Sequence, residues 1–74
     1  MSQIKIEAEL TGNVWKVLVK TGDVVAEGDT LIILESMKME IPVLSTDDGK
    51  VVEVLVEEGG VLEEGDVAVV LEGS

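Results

Sequence analysis

One constellation in this 74-residue chain carries distinctive chemistry: Glu35-Ser36-Met37-Lys38-Met39-Glu40, a primary amine between two thioethers and two carboxylates. An amine of this kind can form an imine with a carbonyl or be acylated to an amide. Imine-forming lysines depend on burial or on neighbouring positive charge, whereas the near neighbours here, Glu35 and Glu40, are acidic. Such an amine waits for an enzyme that takes its proton and supplies an activated acyl donor. Met37 and Met39 fit that role, because a flexible, polarisable thioether can pack into a partner's active site and then let go. Met-Lys-Met alone is a weak signal, and an ordinary surface lysine with filler methionines is its commoner meaning. Its place in the chain is what raises its weight.

Other chemistries lack their residues. With no His, Cys, Tyr or Arg, the usual general bases, thiolate nucleophiles, oxyanion-clamping cations and thiolate or imidazole metal sites are missing. Carboxylates are plentiful, but in a chain this short they read as solvated turns and outer faces rather than a glycosidase cleft. Two Gly-Asp pairs lack the alternating oxygen ligands of a calcium loop. Five lysines against sixteen acidic residues give a net charge of −11, which repels nucleic acid and anionic membranes. No signal-peptide pattern or long apolar stretch stands in the sequence, so a cytoplasmic protein is expected.

The elements that must position Lys38 are short strands. Ser2 to Glu7 alternates, with Ile4 and Ile6 on one face. Val14 to Val19 is a second run, and its Trp15, Val17 and Val19 face is expected to point into the core, with Trp15 as a packing anchor. Gly22-Asp23 and Gly28-Asp29 read as tight turns, since glycine reaches positive φ and aspartate bonds nearby amides. Thr30–Leu34 and Ile41–Leu44 flank the lysine as two apolar runs, predicting a β-hairpin with Lys38 near its tip.

The chain then repeats itself. A shift of 37 residues lays Gly12–Glu35 on Gly49–Glu72 without a gap, with 12 of 24 positions identical. Ile4 and Ile6 align with Ile41 and Val43. Two copies, each with an apolar face, are expected to pack together about an approximate two-fold axis. The expected fold is all-β, a flattened eight-stranded barrel or sandwich of two four-stranded antiparallel sheets, built as one domain over residues 1–74. Under the shift Lys38 corresponds to Met1, so symmetry sets the lysine tip and the two termini at opposite ends.

Glu35-Ser36-Met37-Lys38-Met39, the Gly-Asp-x-Val-x-x-Gly-Asp segment at Gly22–Asp29 and the spacing from Gly12 to Lys38 together resemble the biotinyl/lipoyl attachment domain family, above all its small stand-alone attachment proteins. The resemblance implies a flattened eight-stranded barrel with Lys38 on a tight turn, covalently biotinylated by biotin protein ligase. Met37 and Met39 would be ligase-recognition residues, with Glu35, Ser36 and Glu40 flanking them. It further implies a non-catalytic carrier, monomeric as a domain, that shuttles a carboxyl group between biotin carboxylase and carboxyltransferase. Glu9-Leu10-Thr11 departs from the prolines common before the position of Gly12, and Ile41 stands where carboxylase subunits often have Asn. Two alternatives remain: a lipoate carrier of the 2-oxoacid dehydrogenase type, whose lysine usually follows Asp and precedes Ala, or an unmodified adaptor.

Overall fold

The computed structural model describes residues 3–73. Runs of Val, Ile and Leu punctuated by Gly-Asp turns produce strands throughout. They are β1 (Gln3–Glu7), β2 (Gly12–Val17), β3 (Val24–Val25), β4 (Thr30–Ser36), β5 (Met39–Leu44), β6 (Gly49–Val54), β7 (Val61–Leu62) and β8 (Val67–Gly73). They form two four-stranded antiparallel sheets, ordered β1-β8-β6-β3 and β5-β4-β2-β7. The strand expected from Ser2 is present from Gln3. Ser2 and the termini Met1 and Ser74 lie outside the described residues, and so does their expected position opposite Lys38.

The two-fold symmetry extends to individual hydrogen bonds. The β1–β8 register, from Gln3↔Glu72 to Glu7↔Val67, is matched 37 positions on by β5–β4, from Glu40↔Glu35 to Leu44↔Thr30. Loop bonds pair in the same way: the Gly22 amide donates to the Val51 carbonyl at 2.8 Å, and the Gly59 amide to the Val14 carbonyl at 2.9 Å. In one respect the arrangement differs from two copies laid face to face. Each half gives its short third strand to the other half's long strand, β3 to β6 and β7 to β2. A two-residue strand has too few ladder bonds to stand alone and completes itself only on a longer neighbour.

The interior is aliphatic, with Leu31, Ile32, Leu34, Val51, Val69 and Leu71 fully enclosed. Val17 and Val19 pack against it as expected. Trp15 does not: it is 43% exposed, while Val14 is buried. The cause is a register shift between Val14 and Lys16, where β2 takes one extra residue against β4. Such a bulge interrupts strict alternation, so the inward face passes from Val14 to Val17 and Trp15 is left outside. The equivalent shift lies between Val51 and Glu53 in β6.

The turns follow the residue chemistry. Gly22 and Gly28 take φ of 102° and 92°. The Asp23 carboxylate accepts from the Lys20 amide and the Asp29 carboxylate from the Ala26 amide, both at 2.9 Å. Asp66 repeats the device on Glu63 at 3.1 Å, and the fourth equivalent position is Gly60, which has no side chain to do so.

Candidate functional site

Strands β4 and β5 form the expected hairpin, and their last pair is Ser36↔Met39. The connection is therefore two residues, Met37 and Lys38, with φ of 52° and 67°. Positive φ at both central positions is the mark of a type I′ turn, whose twist matches that of the flanking strands and which normally employs Asn or Gly. Among the described residues these are the non-glycine positions with positive φ. Left-handed backbone costs a residue with a Cβ about 1–2 kcal/mol. The ladder behind the turn supplies the constraint, since β4 is paired along its length to β5 on one side and to β2 on the other.

The hairpin root is anchored from both directions. Leu34 is buried beneath it, and Gly12 of β2 lies so close that a Cβ there would sit 3.1 Å from the Glu35 carbonyl oxygen. Beyond the root the surroundings open to solvent: Met37 is 91% and Met39 63% exposed, Lys38 is exposed and Ser36 half-buried. Glu35 and Glu40 face each other across the strands, both exposed. Directly opposed like charges oppose pairing, so this pair also works against the hairpin it flanks.

All six residues singled out in the sequence thus fall on one hairpin end. The amine stands among exposed residues, Met37, Met39 and Glu40. A groove of about 260 Å³ between β1 and β5 is lined by side chains such as Ile6, Ile41 and Val43, and none of its lining comes from Ser36 to Glu40. The site can hold an amine out on a stiff support and offer it to the active site of another protein.

One feature of the same sheet escaped sequence reasoning. Trp15, expected inside, lies on the surface with the Lys16 ammonium 5.6 Å from its ring centroid, within cation–π range. A signal was available in the repeat, where Trp15 aligns with Val52. A large ring in place of a small aliphatic is one of the places where the two halves of the duplicated scaffold differ.

Comparison with known proteins gives concordant results. The family described as "Biotin-requiring enzyme" matches residues 3–71. The chain is 58% identical over 40 residues to a biotinylated protein TB7.3 homolog of Mycolicibacterium smegmatis, covering 54% of this chain and 56% of that protein. It is 48% identical over 44 residues to the biotin/lipoyl attachment protein of Bacillus subtilis, covering 60% of each. The aligned part thus spans little more than half the length of these relatives. Among solved structures, Kluyveromyces lactis urea carboxylase superposes with a TM-score of 0.90 at 38% identity, over 97% of this chain and 6% of that one. A single-chain, multi-domain long-chain acyl-CoA carboxylase superposes at 0.91 with 32% identity, over 97% and 7%.

Proposed function

Because the chain belongs to the biotin-requiring enzyme family, we propose that it is a biotin carrier in which the Nζ of Lys38 is acylated by biotin. Met37 and Met39 are read by the biotin protein ligase, and Glu35, Ser36 and Glu40 frame the turn. The observation that carries this reading is the two-residue turn at Met37–Lys38, which sets the amine beyond the last strand pair where another enzyme's active site can enclose it. Carboxylase relatives support the next step, in which the carrier, a cytoplasmic monomer, visits a biotin carboxylase and then a carboxyltransferase. Catalysis belongs to those partners and the chain contributes reach. The bound group would supply a ureido nitrogen that takes up and yields a carboxyl group, while the protein's residues hold the attachment point steady.

Incubation with biotin, ATP and biotin protein ligase is expected to add one biotin per chain, seen by mass spectrometry and mapped to Lys38. The Lys38→Ala chain should take none. Modification at Lys5, Lys16, Lys20 or Lys50 instead would overturn the assignment. The 48% identity to a biotin/lipoyl attachment protein favours one second reading, a lipoate carrier through the same lysine. Parallel incubation with lipoate ligase separates the two, and faster lipoylation than biotinylation would reverse their order.

A further inference from the structure

The two sheets present outer faces with the same backbone and different side chains. On the sheet that carries Lys38, Lys16 pairs with Ile33 and Ile33 with Pro42, and Leu44 continues two residues along β5. Trp15 lies beside Lys16 in the bulge. Trp15, Pro42 and Leu44 are all exposed, Trp15 at 43% and Leu44 at 46%. Their counterparts on the other sheet under the 37-residue shift are Val52, Lys5 and Glu7. Three times, therefore, the lysine-bearing face has the larger or more apolar choice.

Fold stability does not ask for this, because the opposite face holds the same strands in the same register without it. Solubility argues against it. The band lies on the same hairpin as the turn, since β4 and β5 run from Lys38 past the Glu35–Glu40 pair to the row of Ile33 and Pro42, about 10 Å from the last pair at the strand rise. An enzyme enclosing Lys38 cannot stop at two residues when a specific protein contact covers roughly 800 Å² per partner. Of the hairpin's two faces, one is sealed into the core by Leu34 and Val43. The other is this band, bordered toward the tip by Glu35 and Glu40.

We propose that the outer face of the Lys38 sheet, centred on Trp15, Pro42 and Leu44, is a docking surface for the ligase that modifies Lys38, and that it meets an apolar depression rimmed by basic side chains. The proposal rests on the carrier reading above. Trp15 is the anchor: interface hot spots are enriched in Trp, Tyr and Arg, and the bulge in β2 leaves its ring on the surface with the Lys16 ammonium 5.6 Å from the centroid. The acidic border and the chain's net charge of −11 complement a basic rim and speed encounter at low salt.

The test exchanges the faces. Trp15→Val, Pro42→Lys and Leu44→Glu together install the side chains that the other sheet already carries at equivalent positions. The expected result is a rise in the ligase's KM for the carrier of about tenfold or more, with kcat little changed. Val52→Trp on the opposite face should leave KM as it was. An unchanged KM in the exchanged protein would overturn the docking surface while leaving the carrier reading intact; a wild-type chain that takes no biotin would overturn both. Should the triple variant lose its fold, Lys38→Ala chains with and without Trp15→Val are compared as competitors of wild-type biotinylation. Weaker competition without the ring supports the proposal, and equal competition overturns it.

Discussion

The β4–β5 pair and the β8–β1 pair are the same structure built twice. Both run through matching registers, both shift at equivalent positions, and in both a glutamate, Glu35 or Glu72, sits in the central strand at the outer end. Strands β4 and β5 are joined by the turn at Met37 and Lys38, whereas β8 and β1 are far apart in sequence and share no such turn. Whatever the halves share serves folding, and whatever they do not share is free to serve something else. The strained turn, the opposed carboxylates and the exposed ring all fall in the second class, and all lie on one sheet.

That division can be broken most severely in the core. Leu34→Ala and Leu71→Ala remove equivalent buried side chains, and each should cost about 2–5 kcal/mol, enough to unfold much of so small a domain. Urea denaturation should find the two losses within about 1 kcal/mol of each other, and a much larger gap would mean the halves are not energetically alike.

Glycine substitutions sharpen the comparison, because they probe a small asymmetry in the backbone. A Cβ at Gly49 would meet the Glu72 carbonyl oxygen at 2.6 Å, against 3.1 Å from the Glu35 oxygen at Gly12. Overpacking of this kind costs about 1–3 kcal/mol. Gly49→Ala should be the more destabilising of the two in thermal or urea unfolding, and the reverse order would contradict the tighter crossing of β6 and β8.

At the turn, stability and use should part company. Met37→Asn suits a left-handed turn position better, so the folded state is expected to gain up to about 1 kcal/mol. The same change should slow biotinylation. A variant that is less stable and modified just as fast would break the link between strain and recognition. The smallest effect belongs to the repeated turns: Asp29→Ala and Asp66→Ala each remove one carboxylate–amide bond, worth about 1 kcal/mol at an exposed site, and should match within experimental error.

Much of this was readable beforehand. The gapless repeat announced eight strands and a two-fold axis, and the Gly-Asp pairs announced the turns, because positive φ and side-chain-to-amide bonding belong to residue types. The hairpin tip was found by its flanks rather than by its own residues, since neither Met nor Lys is a turn former. Trp15 was misplaced because alternation presumes an unbroken pleat, and nothing in Val14-Trp15-Lys16 announces an extra residue. The exchange of β3 and β7 was equally hidden: two-residue strands carry no record of which neighbour completes them.

Strand exchange has a mechanical consequence. Neither half can fray on its own, since pulling away one copy's third strand strips an edge from the other copy's sheet. Across the described residues the two halves therefore brace one another, and the Met37–Lys38 turn stands on a support that neither half could build by itself.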